Sequence, residues 1–325
     1  MFSMLKGKKK ILLAVAVMMV GSIGLVGCSK PSNDSVESKD KMSITLVLDK
    51  GGVNDTSFNQ SAWEGALEAQ KKYDVEIKYL ESQQESDYTA NIETAVEQGA
   101  DLVIGVGYNL ANAIEKAAGF YPEQNFAIID GSYENTPANV RSILFNAEEA
   151  GYAVGLLAGK LTETDKIGFV GGFDIPSVTS FLVGYEKAAK EVNPNITVVS
   201  QYANSFSDAA LGKSIAQLME NKGVDIIMTA GGGVNTGVYE LAREKGIKAI
   251  GVDMSSNHIA PDTIISSALK NVGIGVELTI KDLVEGNFKG GEAKVYDLSN
   301  GGVGYEKTGH ISKELQEFLD EKLNK

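Results

Sequence analysis

The chain has 325 residues, with 43 Asp and Glu against 30 Lys and Arg and a formal net charge of −13. Such an acidic body repels nucleic acid and, more weakly, phosphorylated ligands. One cysteine excludes a disulfide framework, a metal thiolate site and a catalytic thiol elsewhere, and the two histidines, His258 and His310, have no partner at a metal-ligand or triad spacing, so no metal or cofactor is expected.

At the N-terminus Lys6, Lys8, Lys9 and Lys10 precede an apolar run over 11–26 that ends in Leu25-Val-Gly-Cys28. A basic flank before a short apolar run is an export signal, here 1–27, and the run is short for a membrane span. Leu-Val-Gly-Cys resembles a bacterial lipobox. That resemblance implies cleavage before Cys28, diacylation of its sulfur, and an anchor in the cell membrane on the extracytoplasmic face. Removing 1–27 deletes four lysines and no acid, which takes the charge to −17. Residues 28–42, rich in Ser, Lys and Asp and without hydrophobic periodicity, read as a tether.

From there, short apolar runs bounded by Gly or Asp alternate with segments of helical period, which predicts βαβ units and parallel sheets. The strands fall at 44–48, 75–80, 101–106 and 125–130, then at 166–170, 196–201, 225–229 and 247–252. Ser57-Phe-Asn-Gln60 has the form of a capping box, putting Phe58 and Asn59 in the first turn of a helix. Ser207-Asp208 starts another helix, with Phe206 just before it. Both phenylalanines therefore sit at helix mouths level with strand carboxyl ends, where open α/β sheets bind ligands. A loop over 254–262, a strand over 263–270, a helix over 272–285 and a last strand over 293–298 complete the chain.

Two copies of one pattern account for this order. Gln98-Gly-Ala-Asp-Leu-Val-Ile-Gly-Val-Gly107 answers Lys222-Gly-Val-Asp-Ile-Ile-Met-Thr-Ala-Gly231. Phe126-Ala-Ile-Ile-Asp130 answers Lys248-Ala-Ile-Gly-Val-Asp253, and Ile143-Leu-Phe-Asn146 answers Ala268-Leu-Lys-Asn271, all offset by about 124 positions. Phe58 and Gly65 in one half have Phe181 and Gly184 in the other. Repetition on this scale predicts two similar Rossmann-like lobes with a cleft between them. If the strands near 141–145 and 264–270 each carry the chain across, the lobes join through a multi-strand hinge, a layout that resembles the type I periplasmic-binding-protein fold. The expected division is 43–145 plus 258–288 for the first lobe and 146–257 plus 289–325 for the second.

Asp49, Asp55, Asp130, Asp174 and Asp253 end or follow apolar strands. A ring of ionised carboxylates is acceptor-only and suits ligands offering several donors, such as sugar hydroxyls or base amino groups. Helix capping is the competing reading, preferred for Asp55 and Asp174. Lys270 closes the expected crossing strand within reach of these acids. The glycine run Gly231-Gly-Gly-Val-Asn-Thr-Gly237 has no Gly-Lys-Ser/Thr, and Gly105-Val-Gly-Tyr-Asn-Leu lacks a third glycine, so neither is a nucleotide loop, although both leave backbone N–H groups at helix starts. Trp63 reads as core packing.

The stretch Asp49-Lys-Gly-Gly-Val-Asn-Asp-Thr-Ser-Phe-Asn-Gln-Ser-Ala-Trp-Glu-Gly65, with Gly171-Gly-Phe, Ser205-Phe-Ser-Asp208, Ala230-Gly-Gly-Gly, Gly251-Val-Asp253 and Lys270, closely resembles the signature of the basic membrane protein family, the PnrA-like purine nucleoside receptor lipoproteins of ABC transporters. The resemblance implies a non-enzymatic receptor that passes adenosine, guanosine or inosine to a permease. It implies that Phe58 and Phe206 sandwich the base, that Asp253, Lys270 and the Gly232 backbone meet the ribose, and that Asp49, Asn59 and Asp130 divide the remaining polar contacts. A sugar receptor of the same fold and a nucleoside hydrolase are the alternatives. For the hydrolase, Asp49-Lys-Gly-Gly-Val-Asn-Asp55 supplies too few acids for a calcium site.

Overall fold

The computed structural model describes residues 41–323. The signal segment, Cys28 and nearly all of the expected tether lie outside them. In chain order the first half runs β1 (Met42–Leu48), α1 (Phe58–Lys72), β2 (Val75–Glu81), α2 (Asp87–Glu97), β3 (Leu102–Val106), α3 (Ala111–Phe120), β4 (Asn125–Ile129) and β5 (Val140–Phe145). The second runs α4 (Ala147–Leu161), β6 (Lys166–Gly171), α5 (Pro176–Val192), β7 (Thr197–Tyr202), α6 (Ala209–Glu220), β8 (Ile226–Ala230), α7 (Val234–Lys245), β9 (Lys248–Asp253) and β10 (Ile264–Lys270). Then follow α8 (Val272–Val284), β11 (Glu292–Tyr296), β12 (Val303–Tyr305) and α9 (Lys313–Leu323).

The repeat read from the sequence is a repeat of topology. One sheet has the order β11-β5-β4-β3-β1-β2 and the other β12-β10-β9-β8-β6-β7, so the second is the first with each of its five original strands advanced by five. Each sheet with its covering helices makes a lobe. Central strands such as β1 and β3 are buried along nearly their whole length because helices cover both faces, while the edge strand β2 alternates buried and exposed positions. The added strands differ: β11 lies parallel to β5, and β12 lies antiparallel to β10.

The crossings correct the boundaries expected from the sequence. The stretch 258–288 does not move as one piece. Strand β10 stays beside β9 in the second sheet, just as β5 stays beside β4 in the first. The chain crosses only after Lys270, and α8 packs on α1 of the first lobe, where Gly65 and Gly273 meet so closely that a Cβ on Gly65 would fall 2.2 Å from the Gly273 carbonyl oxygen. In the other direction α4, entered from β5, packs on α5 of the second lobe, where a Cβ on Gly184 would fall 1.9 Å from the Glu148 carbonyl oxygen. The repeat-matched glycines Gly65 and Gly184 thus serve the same exchange of helices.

Strand β11, expected in the second lobe, joins the first sheet because α8 has already delivered the chain there and because Arg141 holds it. This guanidinium on β5 is buried and pairs with Asp282 at 2.7 Å and Glu292 at 3.2 Å, bonds the Lys289 carbonyl, and lies 4.6 Å from the Phe288 ring centroid. A buried charge persists only when paired in this way, so one arginine fixes β5, α8 and β11 together.

Candidate functional site

The cleft begins with three strand ends. After β1 the chain turns at Asp49, whose Oδ1 accepts from Gly51 N at 3.0 Å and Asn59 Nδ2 at 2.8 Å. After β4 comes Asp130, and β9 ends in Asp253. Both adopt the left-handed backbone region, with φ of 63° and 62°, which Asp tolerates better than most residues. Gly107 and Gly232, at φ 113° and 57°, turn the chain after β3 and β8 and bring bare backbone to the same space.

Together these elements line one pocket at the cleft. Asp49, Phe58, Asp130, Phe206, Gly232, Asp253 and Lys270 line it, drawn from both lobes. Asn59 does not. It is buried one layer back, with its side-chain amide bonded to Asp49.

Lys270 is the electrostatic centre. Its ammonium, almost fully buried on β10, pairs with the Asp130 carboxylate of the first lobe. Three rings surround it, with centroids at 4.8 Å for Phe58, 5.6 Å for Phe145 and 6.0 Å for Phe181, an arrangement in which aromatic faces help offset the desolvation of the cation. Burial pushes the Asp253 carboxyl above its ordinary range, opposed by Lys270 and by the hydroxyl of Ser57. It pushes Asp49 up as well, against the Asn59 amide, the Gly51 N–H and the Lys50 ammonium.

Phe206 is set by its neighbours. The ring of Phe173 meets it edge-on at 5.0 Å between centroids, and it lies so close to Gly172 that a Cβ there would come within 2.2 Å of its Cε1. The Phe206 carbonyl accepts from Gly233 N at 2.8 Å, tying the loop before α6 to the glycine run after β8. Glycine in that run allows backbone contact in place of a phosphate cradle.

The sequence left out several lining groups: Tyr108, Asn109, Ile175, Ser177, Val178 and Phe181. Tyr108 and Asn109 lie within the Gly105-Val-Gly-Tyr-Asn-Leu stretch already singled out, and Phe181 is the repeat partner of Phe58, so all three carried a signal. Asp55 caps α1, as expected of it, and also lines the cavity. Asp174 caps nothing; its side chain accepts from the Thr179 hydroxyl at 3.0 Å. The hydroxyl of Ser57 does not close the expected capping box either, since α1 has no side-chain cap bond from it. Trp63 packs edge-on against Tyr79 at 4.8 Å, away from the cleft. The His310 ring bonds the Pro261 carbonyl, remote from these groups.

A family described as ABC transporter substrate-binding protein PnrA-like matches residues 42–325. The chain belongs to this family. It is 36% identical to the "ABC transporter nucleoside-binding protein BmpA" of Lactococcus lactis, covering 91% of each chain. Basic membrane protein A of Borreliella burgdorferi is also 36% identical, over 96% of this chain and 91% of that one. In three dimensions it is similar to an ABC transporter solute-binding protein from Aeropyrum pernix, with a TM-score of 0.78, 31% identity, and coverage of 86% of this chain and 80% of that one. As a PnrA-like member with two parallel-rich sheets, the protein has the type I periplasmic-binding fold and is the substrate-binding component of an ABC transporter, a class that binds and does not catalyse. Among the described residues no helix is long and apolar enough to cross a membrane.

Proposed function

We propose that this receptor is anchored by lipid on Cys28 and closes on a nucleoside, a purine one by preference, for delivery to its permease. The observation that carries the reading is that Phe58 and Phe206, from opposite lobes, line one cavity whose remaining walls hold Asp49, Asp130, Asp253 and Lys270. Two rings suit a flat heterocycle, because stacking contributes about 1–3 kcal/mol per base and tolerates different bases. Carboxylates suit the donors of a base edge and a ribose.

In this reading Asp253, Lys270 and the Gly232 backbone meet the sugar. Asp49 and Asp130 take the other polar contacts, and Asn59 acts by holding Asp49 in place. The Lactococcus relative's name states nucleoside binding, which agrees. A phosphate would enter a cavity rich in carboxylates with no glycine-lysine cradle, so nucleotides bind much more weakly than nucleosides. Calorimetry on the full-length protein with guanosine, inosine, adenosine, ribose and adenosine monophosphate tests this. Tight nucleoside binding with weak ribose and monophosphate binding is expected; ribose as the tight ligand would transfer the site to a sugar receptor.

A further inference from the structure

Ser57 occupies the place of a helix N-cap, yet its hydroxyl does nothing for its helix. Asp55 caps α1 instead. Its Oδ1 accepts from Ser57 N at 2.9 Å and Gln60 N at 3.1 Å, and its Oδ2 accepts from Asn59 N at 2.9 Å. Three of the donors that a helix start leaves without partners are thereby satisfied. The released Ser57 hydroxyl is fully buried and donates to Oδ2 of Asp253 at 2.5 Å, joining the first turn of α1 in one lobe to the end of β9 in the other.

The neighbouring contact runs the same way. Leu269 on β10 stands beside Asp253 on β9, and the next residue, Lys270, reaches back to Asp130 of the first lobe. Two adjacent groups of the second lobe thus each grip the first, through protein atoms alone. A third contact lies farther out, where the Lys50 ammonium of the first lobe sits 5.7 Å from the Phe173 ring that backs Phe206.

We infer that Ser57 is a positioning residue that latches the closed cleft by holding Oδ2 of Asp253, leaving Oδ1 of that carboxylate to the ligand. The inference rests on the reading of this cavity as the ligand site, and it does not depend on which ligand enters. A hydroxyl bonded to a buried carboxylate exists only when the lobes are together. Opening returns both groups to water, so the bond favours closure by its difference between the two states. The lobe that would otherwise be stabilised locally by a serine cap is stabilised by Asp55, which frees Ser57 for a bond that only the closed state contains.

The test is fluorescence energy transfer in the full-length protein, with one dye on α2 and one on α6 attached through unnatural amino acids. Without ligand, Ser57→Ala is expected to raise the ratio of open to closed molecules by about 10-fold while leaving the urea midpoint near that of the parent, because Asp55 still caps α1. In an Asp253→Asn background the same substitution should have much less effect, since the strong acceptor is gone. Guanosine dissociation from Ser57→Ala should be about 10-fold faster with little change in association. An unchanged open fraction, or a loss of stability as large as the loss of closure, would overturn the latch. If guanosine fails to bind the parent protein, the nucleoside reading fails, while the ligand-free open fraction still decides the role of Ser57.

Discussion

Asp130 and Asp253 are one position of the repeat seen twice, each ending a buried strand in left-handed backbone, and Lys270 stands between them, paired with the first and beside the second. Backbone of this kind costs about 1–3 kcal/mol and persists where surrounding structure imposes it, here to turn two carboxylates into one cleft. Removing the shared cation leaves both acids buried without it. Lys270→Met should lower stability by about 3–5 kcal/mol in urea unfolding, and adding Asp130→Asn should restore a large part of the loss without restoring ligand binding. A single-variant loss under about 1 kcal/mol would show that the pair is not desolvated in solution.

The two rings carry separable contributions. Phe58→Ala and Phe206→Ala should each weaken guanosine binding by about 5- to 150-fold, corresponding to about 1–3 kcal/mol of stacking, with unfolding midpoints little moved. Tyr or Trp at either position should retain most of the affinity. Calorimetry on the six variants, two positions with three substitutions, checks this.

Two glycines should fail in different ways. A methyl group on Gly172 meets chiefly the Phe206 ring, which can rotate away, whereas one on Gly184 meets the backbone of Glu148 and Tyr152 in the crossed helix α4. Gly172→Ala is therefore expected to lower affinity by about 10-fold at nearly unchanged stability. Gly184→Ala should destabilise by about 1–3 kcal/mol or more, because two helices must separate. Thermal melts paired with binding assays separate the two outcomes.

Stability should also fall as pH rises through the weakly acidic range. Burial pushes the Asp55 carboxyl up to about 7, against the three N–H donors that hold it down, and burial raises Asp49 and Asp253 too. A carboxyl with a folded-state pKa above its unfolded value binds more protons when folded, so its contribution is full below about pH 4 and is lost on the way to about pH 7. Asp55 changes stability by up to ~1.4 kcal/mol per pH unit in that window, Asp49 and Asp253 act in the same direction, and each kcal/mol moves the melting point by about 2–4 °C. Melts of ligand-free protein should therefore run higher at pH 5.5 than at pH 7.5, with Asp55→Asn reducing the difference. A flat profile would place these acids in contact with water, and the opposite slope would mean that their hydrogen bonds and nearby cations outweigh burial.

Much of this molecule was legible because its grammar repeats. Apolar strands ending in acid, with helices between, gave both sheets, and the constant spacing gave their common topology. Side-chain roles that depend on what lies across the cleft were less legible. Ser57 followed by Gln60 reads as a local cap beside Asp55, itself read as a capping residue, and nothing nearby in the chain indicates that Asp253 would receive the Ser57 hydroxyl. The passage of α8 and β11 to the first lobe was hidden for a related reason, since it depends on Arg141 finding Asp282 and Glu292 far along the chain. Asn59, drawn in by its place in the motif, stands behind Asp49, a distinction of one layer that a sequence does not contain.

The central claim is most directly tested by diffraction from crystals grown with guanosine. The account predicts the base between the rings of Phe58 and Phe206, with Lys270 and Asp253 at the ribose. Guanosine bound elsewhere, or lying in the cleft with either ring turned away from it, would contradict the account.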